Sequence, residues 1–345
     1  MNDFPIRNKT PCLILVGALY AISAMPSLAH AKNQPAYGTE LEGFTYTYPV
    51  KHYSFSSQGK SVRMAYVDVP AAKGSTAKNR TVVLMHGKLF CADTWSDTIK
   101  TLSREGFRVI APDQIGFCKS TKPEGYQYSF QQLASNTHAL LQSLGVTRST
   151  VIGHSMGGML ATRYALMYPD ATEHLALVNP LGLEDWKALG VPYLGVDGYY
   201  AEELETSAQE LKAYQQRVHY NGEWRPEFDR WVEMQAGMFS GPGLPLIAHH
   251  AALTYDMIFN QPVFYEFENL KVPATLFIGL TDKTAITHGA SPVAIARLAN
   301  YAELGKSVAK RIPQSTLVEF DDLGHSPHLQ APQRFYPELL KVINK

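Results

Sequence analysis

Short apolar runs alternate with amphipathic segments along most of the chain. Apolar runs predict buried strands, and apolar residues at helical spacing predict helices. The predicted strands of the first half are 81–86, 107–111, 149–154 and 174–179, and the predicted helices are 93–104, 130–144 and 158–168. Two later runs, Thr275–Gly279 and Leu317–Phe320, predict further strands. This alternation predicts an α/β fold, with a mostly parallel central sheet and helices on both faces.

Two strands are predicted before the alternating region. Phe44, Tyr46 and Tyr48 alternate with threonines, which is the period-two pattern of a half-buried strand. A second strand is predicted near Val62–Val69, and the short connection favours an antiparallel pair at that edge of the sheet. Residues 32–40 are polar and are predicted to form a linker.

Residues 183–265 interrupt the alternation of strands and helices. Several apolar side chains there recur at helical spacing with charges between them: Leu204, Ala208, Leu211, Tyr214 and Val218. We interpret 183–265 as a helical cap inserted into a core formed by 32–182 and 266–345, where it would cover a site on that core. The alternative is a packed helical layer that makes no substrate contact.

The N-terminal segment has the pattern of a secretory signal peptide. Arg7 and Lys9 precede an apolar stretch, Cys12–Ala24, which is too short to span a bilayer. Ala29-His30-Ala31 is typical of a cleavage site, so we expect removal of residues 1–31 and a soluble periplasmic or secreted protein. An uncleaved anchor helix is the alternative.

Composition and charge exclude several classes of partner and cofactor. The chain has 345 residues, of which 45% are hydrophobic, enough for one large domain with an insertion. Its 31 basic and 31 acidic side chains balance, so neither nucleic acid nor anionic membrane is an expected partner. No Gly-rich nucleotide loop follows a strand, and His249-His250 are adjacent rather than at metal-binding spacing. We therefore expect no cofactor and no metal.

The pentapeptide Gly153-His154-Ser155-Met156-Gly157 carries the strongest functional signal. It lies between a predicted strand and a predicted helix, so Ser155 would occupy the apex of a sharp turn. Such a turn holds the serine in a strained conformation and exposes its hydroxyl above the sheet. The pattern therefore predicts a nucleophilic serine.

Three further segments place this serine in a family. His86-Gly87 ends an apolar run, Asp282 follows Thr275–Gly279, and His325 follows Leu317–Phe320. With the nucleophile before the acid and the acid before the histidine, the chain resembles the α/β-hydrolase superfamily, in the branch with a helical cap after the sixth strand. The resemblance covers roughly residues 40–345. Two positions depart from the family's pattern: Cys118 stands where relatives often have glycine, and Gln330 where they usually have glutamate.

The resemblance implies a Ser-His-Asp triad. Ser155 would be the nucleophile, His325 the general base, and Asp282 the acid that orients the histidine. Some members of the superfamily place the acid after strand six, so Glu184 and Asp185 are alternatives to Asp282.

An oxyanion hole is implied as well. Its donors would be the backbone N–H groups of Met156 and Lys88. We expect the Lys88 side chain to extend to solvent; the alternative is that it adds a positive charge near the pocket. We expect His86 to shape its loop rather than to take part in the chemistry.

A disulfide between Cys91 and Cys118 is predicted beside the site. Signal cleavage would remove Cys12 and leave these two as the cysteines of an exported chain, where thiols tend to be oxidised. In this fold their loops follow neighbouring strands. Two unpaired buried cysteines are the alternative.

These features predict an exported serine hydrolase that cleaves small or medium carboxylic esters. Ser155 argues against the haloalkane dehalogenase and epoxide hydrolase branches, whose nucleophile is aspartate. A lactonase, a cofactor-free haloperoxidase and a non-catalytic binding protein on the same fold are alternatives. The expected partner is a small-molecule ester, and the oligomeric state is not predicted.

Overall fold

Eight β-strands form across residues 35–76 and 78–344, the parts of the chain that the computed structural model describes. They are β1 (Val50–Ser57), β2 (Lys60–Val69), β3 (Thr81–Met85), β4 (Arg108–Pro112), β5 (Ser149–His154), β6 (Thr172–Val178), β7 (Ala274–Gly279) and β8 (Ser315–Phe320). All eight belong to one sheet, in the order β1-β2-β4-β3-β5-β6-β7-β8. β2 is antiparallel to both β1 and β4, and the pairs from β4 to β8 are parallel. The predicted fold class is confirmed.

The helices occupy the connections between the strands and the segment after β8. Those of the core are α1 (Ser96–Arg104), α2 (Phe130–Ser143), α3 (Met156–Met167), α8 (Pro292–Ile295), α9 (Tyr301–Arg311), α10 (Pro327–Gln330) and α11 (Pro332–Ile343). Those between β6 and β7 are α4 (Gly195–Leu204), α5 (Ala208–Tyr214), α6 (Asp229–Phe239) and α7 (Leu244–Asn260). Every residue of β5 and of β7 is buried. Complete burial is the pattern of parallel strands that are covered on both faces.

The parallel strands place the candidate side chains at one edge of the sheet. Ser155 follows β5, Asp282 lies three residues after β7, and His325 lies in the loop after β8. The carboxyl ends of parallel strands meet at the same edge, and ligands of open α/β sheets bind there. The topology therefore brings together residues that lie up to 170 positions apart in the sequence.

The strand predicted at Phe44–Tyr48 is wrong. Phe44 and Tyr46 are buried and Thr45 and Thr47 are exposed, so the alternation itself is real. Its backbone does not pair with a neighbouring strand: the Phe44 N–H donates to the Leu41 carbonyl at 3.3 Å, the Thr47 N–H donates to Asp93 Oδ1 at 2.6 Å, and the Thr45 carbonyl accepts from Arg230 at 2.7 Å. The first strand, β1, begins instead at Val50.

The polar segment predicted as a linker is also partly packed. Tyr37 is buried, its N–H donates to the Gly237 carbonyl at 2.8 Å, and its hydroxyl donates to Glu233 at 2.8 Å. Both partners lie on α6, so this segment is anchored to the helices that follow β6. The predicted signal peptide, residues 1–31, lies outside the described residues.

Residues 183–265, which we name the helical insertion, contact the loop that carries His325. The N–H groups of His325 and Ser326 donate to the carbonyls of Val218 and His219, at 3.0 and 3.2 Å. A Cβ at Gly324 would lie 2.6 Å from the Val218 oxygen, so this close approach requires glycine. Val218 and His219 lie in a π-helical turn, Gln215–His219, a distortion that is frequent at functional sites. Within the described residues, no helix is both long enough and apolar enough to cross a membrane.

Candidate active site

Ser155 occupies a strained turn between β5 and α3. Its φ is 57° and its ψ is −124°, in a region that costs a non-glycine residue roughly 1–3 kcal/mol. Its side chain makes no capping hydrogen bond to α3, and it lines a cavity together with His325. The strand-turn-helix setting predicted for this serine is therefore present.

Two flanking glycines make that turn possible. A Cβ at Gly153 would lie 2.1 Å from the Gly157 carbonyl oxygen, and a Cβ at Gly157 would lie 2.1 Å from the Met85 carbonyl oxygen. Both partners are backbone atoms that cannot move aside, so no larger residue fits at either position.

Asp282 and His325 form a buried hydrogen-bonded pair. The distance between His325 Nδ1 and Asp282 Oδ2 is 2.6 Å, and both side chains are almost fully buried. The other carboxylate oxygen, Oδ1, accepts from the N–H and the hydroxyl of Thr284, at 2.8 and 2.7 Å. The carboxylate is thereby held in one orientation, with Oδ2 directed at the imidazole.

Asn179 is a site residue that the sequence analysis missed. It directly follows β6, is fully buried and has a left-handed φ of 36°. Its Nδ2 donates to Asp282 Oδ2 at 2.9 Å, and its Oδ1 accepts from the Gly279 N–H at 2.8 Å. Asn179 therefore fixes the same oxygen that His325 contacts. The predicted strand 174–179 ended on this asparagine, and nothing in the local pattern set it apart as a site residue.

The two alternative acids lie elsewhere. Glu184 Oε1 accepts from the Ala299 N–H at 3.0 Å and from Trp186 Nε1 at 3.2 Å, and burial raises the pKa of this carboxyl group. Asp185 accepts from the Tyr265 hydroxyl at 2.8 Å. Asp282 is thus the carboxylate that contacts His325.

The backbone predicted to form the oxyanion hole lies beside Ser155. Met156 is the first residue of α3, so its N–H is one of the free donors at a helix N-terminus, where the dipole favours negative charge. Gly87, which precedes Lys88, approaches Ser155 so closely that a Cβ there would lie 3.0 Å from the serine Cβ. Lys88 and Ser155 also line the same cavity.

The expectation that the Lys88 side chain extends to solvent is wrong. Lys88 Nζ lies 2.5 Å from Glu203 Oε1 and 3.8 Å from the centre of the Tyr255 ring. Glu203 and Tyr255 belong to α4 and α7, so the helical insertion covers this lysine. Burial lowers the pKa of Lys88, and the neighbouring Glu203 carboxylate opposes that shift.

Three further buried histidines surround His325. The rings of His154 and His219 lie 4.8 and 4.9 Å from the His325 ring, and His328 lies 4.7 Å from His154. Burial lowers the pKa of all three, with smaller contributions from the neighbouring imidazoles, and brings that of His328 to about 3. These rings are therefore neutral near pH 7. His154 Nε2 lies 2.9 Å from the His325 carbonyl oxygen, so His154 helps to hold the loop that carries His325.

Two other residues shape the loops around the site. His86 joins the loop after β3 to the loop after β4, because its Nε2 accepts from the Gln114 N–H at 3.0 Å. Gln330, at the position where relatives usually have glutamate, accepts from the Gly324 N–H at 2.8 Å and donates to the Tyr220 carbonyl at 3.0 Å. An amide can make both bonds and a carboxylate cannot, so Gln330 ties the His325 loop to the helical insertion.

Cys91 and Cys118 form the predicted disulfide, with their Cα atoms 5.9 Å apart. The φ of Cys118 is 42°, which accounts for the glycine that relatives often have there. The Asp113 carboxylate lies close to both sulfurs, and it accepts from the Ala92 N–H at 2.7 Å. Because the sulfurs are bonded to each other, they are not thiolates that could bind a metal.

The cavity beside Ser155 and His325 has a volume of about 700 Å³. Its apolar lining comes from the core and from the helical insertion, and includes Leu89, Phe90, Leu181, Leu211, Ile258 and Ile286. Exposed glutamates, among them Glu202, Glu205 and Glu210, lie along its rim. This arrangement suits a small ligand with a substantial apolar part.

Known proteins resemble this chain in sequence and structure. The profile of the alpha/beta hydrolase fold family matches residues 80–332. A probable hydrolytic enzyme from Pseudomonas aeruginosa PAO1 shares 61% identity over 89% of this chain and 98% of its own, with a TM-score of 0.88. Lipase 3 of Moraxella sp. is 26% identical over 79% of this chain and 80% of its own. An uncharacterised Mycobacterium tuberculosis protein is 35% identical over 102 residues, so the chain spans only 29% of that relative. By these matches the chain belongs to the α/β-hydrolase family of enzymes.

Proposed function

We propose that this protein is a serine hydrolase that cleaves small or medium carboxylic esters through an acyl-enzyme intermediate. One observation carries the proposal. A strained serine and a histidine held by a buried aspartate line the same cavity. An unassisted serine hydroxyl is a weak nucleophile at neutral pH, and this arrangement supplies the base that it needs.

In the proposed acylation step, Ser155 Oγ attacks the ester carbonyl carbon. Nε2 of His325 takes the hydroxyl proton, and Asp282 on Nδ1 holds the imidazole orientation and stabilises the imidazolium. The N–H groups of Met156 and Lys88 stabilise the oxyanion of the tetrahedral intermediate. The intermediate then collapses, and the departing alcohol takes the proton from His325.

Deacylation repeats the sequence with water. His325 removes a proton from the water as it attacks the acyl carbon, and returns that proton to Ser155 Oγ as the acyl–oxygen bond breaks. Asn179 and Thr284 keep the Asp282 carboxylate in place during both half-reactions.

The choice of esters rests on the cavity and on the relatives. The apolar lining suits an acyl or alkyl chain, and the relative from Moraxella sp. that covers most of this chain is named a lipase. The helical insertion supplies much of that lining, which supports the proposal that it caps the active site and selects substrates. Lactones contain the same reacting bond, so they belong in any test of substrate range.

Export is part of the same proposal. The Cys91–Cys118 disulfide supports it, because such bonds persist in oxidising compartments such as the periplasm or the extracellular medium. N-terminal sequencing of the protein recovered from a periplasmic fraction checks the expected cleavage after Ala31. An intact N-terminus in the membrane fraction would contradict it.

The enzymatic test compares hydrolysis rates for p-nitrophenyl esters of graded acyl length, simple lactones and an aminoacyl amide. We expect the highest kcat/KM for esters, and a loss of about 10⁴-fold in kcat for Asp282→Asn. The controls are Glu184→Gln and Asp185→Asn, which remove the alternative acids and should keep wild-type kcat. A preference for lactones would reassign the substrate, and full activity in Asp282→Asn would contradict the mechanism.

A further inference from the structure

A buried ion pair joins the core to the helical insertion inside the active-site cavity. Lys88, in the loop after β3, pairs with Glu203 on α4, and their side chains are 9% and 6% exposed. The ammonium group also lies over the face of Tyr255 on α7, at 3.8 Å. All three residues line the cavity that Ser155 and His325 line.

This pair lies close to the reacting bond. The Lys88 N–H is the proposed oxyanion donor, so its ammonium group lies at most one lysine side chain away from the scissile carbonyl. Because the pair lines the same cavity as Ser155 and His325, a substrate bound there can rest against it. The same cavity is lined by Leu89, Leu181 and Ile258, which present apolar surface.

Lys88 and Glu203 neutralise each other, so neither is free to pair with a charge on a substrate that rests against this wall, whereas the glutamates of the rim are exposed to solvent. A carboxylate brought to this wall would be attracted by Lys88 and repelled by Glu203, and an ammonium group would meet the reverse. Either group would also lose its hydration in a largely apolar cavity. A free opposite charge or several hydrogen bonds would be needed to compensate that loss. An uncharged substituent meets no such cost.

We propose that the Lys88–Glu203 pair is a specificity determinant that restricts the cavity to uncharged esters. The inference rests on the proposed ester hydrolysis and adds its substrate class. Removing one partner frees the other charge, so each single variant should accept substrates of the opposite sign. Glu203→Gln should admit carboxylate-bearing esters, and Lys88→Met should admit ammonium-bearing esters.

The test uses two matched substrate series, because either side of the ester could face the pair. In the first, the p-nitrophenyl ester carries an acyl group that is neutral (butyrate), anionic (succinate) or cationic (4-aminobutyrate). In the second, butyrate is esterified to a neutral alcohol, to glycolate or to choline. We expect the wild type to favour the neutral ester by at least tenfold in kcat/KM in at least one series.

In that series, Glu203→Gln should raise the ratio of anionic to neutral kcat/KM at least tenfold. Lys88→Met should raise the ratio of cationic to neutral kcat/KM by a similar factor. Glu205→Gln is the matched control, since it removes the same charge from an exposed side chain on the rim of the same cavity. Solvent screens that position, so its ratios should stay within about twofold of wild type.

The outcomes separate the two proposals. If no variant and no wild-type sample cleaves a neutral ester and Ser155 is not acylated, the proposed function fails. The specificity inference alone fails in two cases: the wild type cleaves charged and neutral esters equally well in both series, or Glu203→Gln and Lys88→Met give the ratios of Glu205→Gln. Because the wild-type comparison needs no substitution, the inference remains testable even where a variant does not fold.

Discussion

Loss of the Cys91–Cys118 disulfide should lower both the stability and the activity of the protein. The bond joins residues 27 positions apart, in the loops after β3 and β4. In the chain-entropy model, a closed loop of this length contributes ~3.6 kcal/mol at 25 °C by restricting the unfolded chain. For roughly 310 folded residues the entropy of unfolding is ~0.65 kcal/mol/K, so the melting temperature should fall by ~5–6 °C.

The activity effect follows from the position of the bond. Cys91 lies three residues after Lys88, whose N–H is the proposed oxyanion donor, and Cys118 anchors that loop to its neighbour. A looser loop would hold the N–H less accurately. We therefore expect kcat to fall with reduction while KM changes little, because the oxyanion exists only in the transition state and the intermediates.

The assay compares oxidised protein with protein refolded under reducing conditions, because the buried bond is poorly accessible to a reductant in the folded state. Thermal unfolding followed by circular dichroism gives the melting temperature, and ester hydrolysis gives kcat. A Cys91→Ala/Cys118→Ala variant is the control, since it should not respond to the reductant. Equal melting temperatures for the oxidised and reduced wild type would refute the reasoning.

Three further predictions concern the surroundings of the site. Asn179→Ala removes a hydrogen bond to the aspartate oxygen that contacts His325, so we expect ~10-fold lower kcat with little change in KM, and wild-type kinetics would contradict this. Burial lowers the pKa of His328 from 6.5 to about 3, so His328 contributes stability above pH 6.5 that is lost as the pH falls towards 3. His328→Gln should therefore weaken the pH dependence of the unfolding free energy between pH 6 and 5 by up to ~1.4 kcal/mol per unit, and an unchanged slope in urea titrations would contradict it. Gly324→Ala places a Cβ 2.6 Å from the Val218 oxygen, so we expect kcat/KM to fall more than tenfold, and wild-type kcat/KM would show that the contact with the helical insertion is dispensable.

The sequence predicted those parts of the site that depend on local pattern. Apolar runs located the parallel strands, and Ser155, Asp282 and His325 could each be recognised at the end of one of them. The fold then brings the carboxyl ends of those strands together, so predicting the strands predicted the neighbourhood of these residues. The disulfide followed from the same reasoning, because its loops leave neighbouring strands.

The parts that were missed depend on contacts between distant segments. Asn179 acts on Asp282 across 103 positions, and an asparagine after a strand has no distinctive sequence pattern. The direction of Lys88 is decided by Glu203, 115 positions away on a helix whose docking no local pattern encodes. The Phe44–Tyr48 segment has the alternation of a strand, yet its backbone bonds to the distant side chains of Asp93 and Arg230 and to the nearby Leu41 carbonyl instead of to a strand.

The central claim is that Ser155 becomes covalently acylated during turnover. The most direct measurement treats the mature protein with a fluorophosphonate, with and without an excess of ester substrate, and maps the adduct by mass spectrometry. The account predicts a single adduct on Ser155, formed more slowly when substrate is in excess. Ser155→Ala should form no adduct and hydrolyse no ester, and labelling should be strongly reduced in His325→Ala. An adduct on another residue, or full ester hydrolysis by Ser155→Ala, would contradict the account.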